Sequence, residues 1–264
     1  MDYIIEINNL NYLDFKDFNL KIKKHSYTSI VGSIKSGKTT LVKVLSGLIQ
    51  TNNVCKCNDI VLDKDNIFNY LKNIGVISCV NKNSFLFKTV REELSYPLLN
   101  LGYPQFIVNK IINDKLKEFN MLSIIDKKID ILNTNTKQKL LFIIALLHKP
   151  KVLIIDEAFM LLNDKDERVI FNYLRKMVND KKITVINFTK DLNEVINSDN
   201  LVLLDKFSVK KIGVPMELLI DDQLFYDCGL EIPFMVDLSI KLKMYNLVDK
   251  VYLNMEDMVN EIWK

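Results

Sequence analysis

Eight consecutive residues carry the chemistry most legible in this chain: Gly32, Ser33, Ile34, Lys35, Ser36, Gly37, Lys38 and Thr39. They fit G-x-x-x-x-G-K-[ST], the spacing of a loop that cradles phosphates. Gly32 and Gly37 let the backbone turn without a Cβ, so successive N–H groups can point into one concavity. A helix that starts there adds its positive dipole end. Lys38 supplies a point charge for β- and γ-phosphates, and the Thr39 hydroxyl is a ligand for Mg²⁺. Thr40 closes the candidate binding segment.

Both flanks agree with that reading. Tyr27–Val31 is β-branched and aromatic and reads as a strand, while Leu41, Val42, Val44, Leu45 and Leu48 recur at helical spacing. A tight turn before an ordinary helix would not require both. The sequence therefore predicts a nucleoside triphosphate site.

A second segment completes it. Val152–Ile155 is apolar at every position and ends in Asp156 and Glu157. Such a run reads as a central parallel strand buried on both faces. In open α/β sheets the ligand crevice lies beyond the carboxyl ends of strands, where these two acids emerge. Asp156 is placed to hold Mg²⁺ beside Thr39, and Glu157 to polarise an attacking water. Asp-x-x-Gly is absent, since Ala158 and Phe159 follow, and Asn81–Ser84 lacks an aspartate to read guanine. An ATP-type engine is the better fit.

Composition bounds the rest. The 264 residues carry 36 basic and 33 acidic side chains, a net charge of +3 too small to argue for nucleic acid. No apolar stretch reaches membrane-spanning length. Asp2 and Glu6 near the start argue against a signal peptide. Cys55, Cys57, Cys79 and Cys228 lack framework spacing and read as reduced thiols, with no ligand cluster around Cys55 and Cys57.

The elements that must position these residues follow from periodicity. Strands are expected at 27–31, 71–80, 152–156 and 183–186. Helices are expected at 90–94, 106–120, 121–125, 136–147 and 168–177. Pro233 interrupts the tail after about 220, whose Ile232, Phe234, Met235, Leu238, Ile240 and Leu242 must pack back on the chain or against another subunit.

The whole arrangement resembles the ATP-binding cassette (ABC) subunit of an energy-coupling factor (ECF-type) transporter. The similarity runs from Ile5–Leu10 and Tyr12, through Ile74–Ile77 and Phe85–Glu93, to Gly213–Leu218 and Gly229–Leu242. It implies an α/β fold of the P-loop NTPase, ABC-ATPase type, with a mixed central sheet flanked by helices. It implies a cassette over 1–219, a helical subdomain at about 88–136, and a helical extension over 220–264 that pairs with another subunit. ATP and Mg²⁺ are the implied cofactors, with Tyr12 stacking on adenine and Phe15 its rival. The implied partners are a second ATPase subunit, a transmembrane scaffold and a substrate-binding membrane protein, at the cytoplasmic face of the cell membrane. The implied task is uptake of a vitamin or metal ion, driven by ATP.

The departures are specific. The signature Leu-Ser-Gly-Gly-Gln aligns with Leu132-Asn133-Thr134-Asn135-Thr136, without glycine, and either asparagine could cap the following helix. The Q-loop position reads Cys79, or Asn81 with a shift of two. The D-loop aspartate reads Asn163 and the switch histidine reads Lys190. Lysine donates but does not accept a hydrogen bond while charged; Lys190 instead brings a cation to the transferring phosphoryl. These changes predict slowed turnover and an asymmetric heterodimer, or else a regulatory nucleotide-binding subunit.

Overall fold

A computed structural model describes residues 2–51, 54–253 and 255–262. The chain opens with a hairpin, β1 (Tyr3–Tyr12) and β2 (Phe15–Lys23), whose first strand contains the Ile5–Leu10 segment likened above to the cassette family and extends it at both ends. Alternation drives it: Phe15, Phe18, Leu20 and Ile22 point inward while their neighbours face solvent. β3 (Tyr27–Val31) and α1 (Lys38–Leu45) flank the glycine loop as expected. Then come β4 (Cys55–Cys57), β5 (Ile60–Val61), α2 (Ile67–Leu71) and β6 (Ile74–Ser78). The expected strand from 71 is thus shortened, because Leu71 closes α2.

A helical stretch follows, with α3 (Val90–Asn100), α4 (Gln105–Glu118) and α5 (Thr134–Leu147). The expected helix at 121–125 is a single 3₁₀ turn, Leu122–Ile124. α3 begins with a capping box: Thr89 and Glu92 satisfy each other's backbone N–H groups. It runs past the expected end at 94 with Pro97 inside it. The buried carboxylate of Glu93 accepts the N–H groups of Leu86 and Phe87 at 2.9 and 2.8 Å, tying down the approach to the helix.

The second half alternates strand and helix: β7 (Val152–Asp156), α6 (Asp164–Asn179), β8 (Thr184–Thr189), β9 (Asn200–Asp205) and β10 (Ser208–Gly213). The tail forms α7 (Pro215–Leu219), α8 (Asp222–Asp227), α9 (Phe234–Met244) and α10 (Met255–Ile262).

The central sheet has the order β10-β9-β3-β8-β7-β6, parallel except for β10. A smaller antiparallel sheet, β2-β1-β4-β5, stands beside it. This order decides the function. The carboxyl ends of β3, β8, β7 and β6 lie side by side, so the glycine loop, Lys190, the Asp156–Glu157 pair and Cys79 emerge along one edge. The two sheet faces have separate cores. Leu153, Ile155 and Val185 pack against α3 to α6, while Val152, Ile154 and Ile186 pack against α1 and the β1–β2 hairpin.

Gly75 marks a close helix–sheet approach. A Cβ there would come within 2.6 Å of the Ala145 carbonyl oxygen in α5 and 3.1 Å of Pro150. Gly75→Ala is therefore expected to destabilise the chain by about 1–3 kcal/mol through overpacking. A urea midpoint equal to that of the parent chain would contradict the close packing of α5 on β6.

Candidate functional site

The loop between β3 and α1 contains two left-handed residues, Lys35 at φ +68° and Gly37. Gly37 has φ +104°, and a Cβ there would meet the Phe15 ring at 2.5 Å and the Phe207 ring at 2.9 Å. Glycine is required on both counts. The rings of Phe15 and Phe207 meet edge to face at 5.2 Å and form the floor under the loop. The Phe207 N–H also donates to the Ser36 carbonyl at 3.1 Å.

Lys38 folds back into this loop. Its Nζ donates to the Gly32 carbonyl and to that of Ser33, the latter at 3.2 Å, and the side chain is buried. Burial lowers its pKa, while Glu157 and Asp156 push it back up and Lys190 opposes them. Asp156 responds in kind. Burial and the neighbouring Glu157 raise its carboxyl above the ordinary range, and Lys38 works against that rise.

Glu157 leaves β7 in a left-handed conformation, φ +51°. Its N–H donates to the Phe188 carbonyl at 2.9 Å, and its own carbonyl accepts the Cys79 thiol at 3.0 Å. An open cleft of about 310 Å³ is lined by Ser33 to Thr40 together with Glu157, Lys190 and Phe207. Of the residues singled out from the sequence, Ser33, Ile34, Lys35, Ser36, Gly37, Lys38, Thr39, Thr40, Glu157 and Lys190 meet in this cleft. Asp156 lies half-buried one residue behind Glu157. Gly32 is buried at the loop's base. The two adenine-stacking candidates fare differently. Phe15 is only 1% exposed and offers no free ring face, whereas Tyr12 is half-buried at the hairpin end and off the cleft wall.

The signature-like turn is engaged within the chain. Asn133 caps α5, accepting the Thr136 N–H at 2.8 Å. Asn135 does not cap. Its Oδ1 accepts the Asn163 N–H at 2.9 Å and its Nδ2 donates to Asp166 at 2.7 Å. Asp166 also pairs with Lys139 at 2.7 Å, and these partners hold its carboxyl below the usual range against the effect of burial. Asn163 caps α6, accepting the Asp166 N–H. The Q-loop region is held by a different glutamine. Fully buried Gln138 accepts the Val80 N–H at 2.8 Å and donates to the Ser78 carbonyl at 3.1 Å.

Sequence reasoning missed Phe207, Gln138 and the Cys79–Glu157 contact. No glycine marks the Lys206–Phe207 turn, and a lone glutamine in a helix carries no sign of its depth. Phe207 has φ +61° and Lys206 φ +45°. Two consecutive left-handed residues make a hairpin turn that ordinarily takes Asn-Gly. A bulky side chain there costs roughly 1–2 kcal/mol.

With the geometry in place, comparison with known proteins is specific. The ABC transporter family profile matches residues 15–160. The chain is 32% identical to the energy-coupling factor transporter ATP-binding protein EcfA of Pediococcus pentosaceus, over 100% of this chain and 97% of that one. It is 26% identical to EcfA of Enterococcus faecium, over 100% and 98%. Among solved structures, cbiO1 of Clostridium perfringens, part of the ABC transporter complex cbiONQ, aligns with a TM-score of 0.75. The identity is 24%, covering 86% of this chain and 94% of that chain. An ATP-binding cassette dimer in a post-hydrolysis state, bound to ADP and Pi, aligns at 0.71 with 19% identity, covering 80% and 99%.

Beside the cleft sits a half-buried acid. Glu194 accepts Asn187 Nδ2 at 2.8 Å, near Glu157, Glu167, Lys190 and Asp191. Burial raises its pKa from 4.5 to about 7; the Asn187 hydrogen bond opposes the rise, and Asp191 and Glu167 add to it. The folded chain then keeps a proton that the unfolded chain has lost, so stability falls as pH rises from about 4.5 to 7. Glu194→Gln removes that dependence. Relative to the parent, the variant is expected to gain roughly 1–3 kcal/mol more at pH 8 than at pH 5, read from urea midpoints. Identical pH profiles would rule out the raised carboxyl.

Proposed function

Because the chain belongs to the ABC transporter family, and within it to the energy-coupling factor transporter ATP-binding proteins, we propose that it is the nucleotide-driven subunit of such a transporter. Its ATPase cycle would couple ATP binding and hydrolysis to uptake of a vitamin or metal ion. We read 1–219 as the cassette, with the helical subdomain near 88–136, and 220–264 as an extension that pairs with a second ATPase subunit. The transmembrane scaffold and the substrate-binding protein would be separate chains, and this chain would sit at the cytoplasmic face of the membrane. Among the described residues no helix is long and apolar enough to cross a membrane.

The observation that supports this reading most is one cleft gathering the glycine loop, Lys38, Glu157 and Lys190. Lys38 would neutralise the terminal phosphates, and its two loop carbonyls keep it aimed when no anion is present. Glu157 would orient the attacking water. Lys190, exposed at the end of β8, would bring a cation to the transferring phosphoryl in place of the histidine's hydrogen bond. Mg²⁺ fits the donor set: the Thr39 hydroxyl and the Asp156 carboxylate are hard oxygen ligands. The raised Asp156 carboxyl means that a cation beside it would relieve its repulsion from Glu157. When bound, the metal supplies charge neutralisation between the β- and γ-phosphates.

Asymmetry follows from the signature. This chain's own loop could work with an intact partner signature, while the partner's nucleotide would face Leu132–Thr136. A second reading, a regulatory subunit without useful catalysis, is favoured by Asn135, whose carboxamide is already committed to Asn163 and Asp166.

Two variants decide between them. Lys38→Ala is expected to abolish the calorimetric signal of Mg-ATP and the added thermal stability, which for a saturating ligand at a hundredfold Kd is about 2.7 kcal/mol. Retained heat would refute the nucleotide site. In the assembled complex, Glu157→Gln is expected to lower turnover roughly 10²–10⁴-fold while nucleotide still binds. Unchanged turnover would favour the regulatory reading, and a homodimer with full activity would end the proposal of asymmetry.

A further inference from the structure

We propose that Lys35 is a second phosphate-binding cation of the nucleotide cleft, an ammonium group on the rim of the loop that acts alongside Lys38 on the polyphosphate of the bound nucleotide. The inference rests on the reading of that cleft as a nucleotide site and deepens it, giving the loop a charge that its motif does not require.

The backbone explains the conformation at position 35 but not the choice of lysine. The Ser36 N–H donates to the Ser33 carbonyl at 3.2 Å and closes a four-residue turn with Lys35 in its third place. There φ is +68°, a left-handed value that glycine or asparagine supplies most readily. Left-handed residues in such loops turn neighbouring N–H groups into a concavity that accepts anions. The cradle therefore needs the conformation and has no use for a long side chain. A left-handed backbone is not in itself a sign of a task, since Lys149, Lys181 and Lys206 share it. Of these four lysines, Lys35 is the one that lines the nucleotide cleft.

Its electrostatic situation separates it from Lys38. The Lys38 ammonium is buried, bonded to the Gly32 and Ser33 carbonyls, and lies in the field of Glu157 and Asp156. Lys35 is exposed, and among the described residues its side chain makes no hydrogen bond or ion pair. The cleft lining then holds three ammonium groups, Lys35, Lys38 and Lys190, against the one carboxylate of Glu157. Like charges gathered in a concave site repel one another until a polyanion arrives, and they focus the field that draws it in. Lysine suits the rim because it acts as a mobile point charge, able to follow a phosphate without a fixed fork geometry.

The test separates charge from loop. Lys35→Asn keeps a residue that accepts the left-handed turn and removes the charge; Lys35→Arg keeps the charge. Both are made in the full chain and titrated by calorimetry with Mg-ATP and, separately, with Mg-tripolyphosphate. At about 0.1 M salt the asparagine variant is expected to bind both ligands about tenfold more weakly, a margin that shrinks to about twofold near 1 M as screening sets in. The arginine variant is expected to bind like the parent, and the empty asparagine variant to unfold at an equal or higher urea midpoint, because its turn is relaxed. A low-salt loss smaller than about threefold would overturn the proposal, as would an equal loss in the arginine variant or a loss indifferent to salt. A loss confined to Mg-ATP would also overturn it, since Lys35 would then serve the nucleoside and not the phosphates. A lowered urea midpoint would make Lys35 only a prop for the loop. A parent chain that binds neither ligand would instead bring down the nucleotide reading, and this proposal with it.

Discussion

A buried ammonium group is the constraint around which this molecule is arranged. Lys38 is 8% exposed, and an unpaired charge at that depth is costly. Two carbonyls of its own loop solvate it directly, and Asp156 and Glu157 supply the compensating field from β7. That field requires β7 and β3 to end at the same height with one strand between them. The order β3-β8-β7 meets the requirement, and it sets the end of β8, with Lys190, between the cation and the carboxylates in the sheet order. The floor beneath the loop is aromatic for a related reason. Phe15 and Phe207 keep water from the underside of Gly37, so the loop's polar groups are left to face the cleft.

What could be read in advance was local. The glycine loop announces itself because its backbone admits few alternatives, and β7 because a strand buried on both faces must be apolar at every position. The helices were legible from period, with ends that moved once capping was seen: α6 starts at Asp164 because Asn163 caps it, four residues before the expected start at 168. What could not be read joins distant segments. Cys79 and Glu157 are 78 positions apart, Asn135 and Asn163 are 28 apart. Phe207 reaches Gly37 only because β9 pairs with β3. No period or motif encodes such meetings; they are products of sheet order.

The tail shows the same limit in another form. Its apolar positions suited either packing back or pairing outward, and most of them pack back, in two clusters. Ile232 and Val236 join Leu201 and Leu203 of β9 in one core, while Met235, Leu238 and Leu242 close over Val248, Tyr252 and Met258 in another. Phe234, Met244, Tyr245 and Leu247 remain exposed, between 62% and 77%. Patterning found the apolar residues but not their partners, because the two inner clusters are assembled from separate segments. The first cluster also brings Gly229 beside the glycine loop, within 3.7 Å of Ser33 for an added Cβ. The extension is therefore a wall of the nucleotide region as well as a surface.

Loss of the signature glycines has a consequence beyond the loss of contacts. Glycine at such a turn serves a phosphate by leaving the backbone bare. Asn135 fills the same position with a carboxamide whose acceptor and donor are both in use, on Asn163 and Asp166 of its own chain. To offer its backbone to a neighbouring subunit's nucleotide, the turn would have to leave those bonds, each of which contributes about 0.5–1.5 kcal/mol, more where a carboxylate is involved. Asn163 lies six residues after Glu157, joined to it by the 3₁₀ turn Ala158–Leu161. The signature-like turn is thus fastened to the loop that leaves Glu157. Under the proposed asymmetric reading, a weakened signature and Glu157 are compatible because each would serve a different site: the carboxylate would act on this chain's nucleotide, while the clasped turn would close over the other.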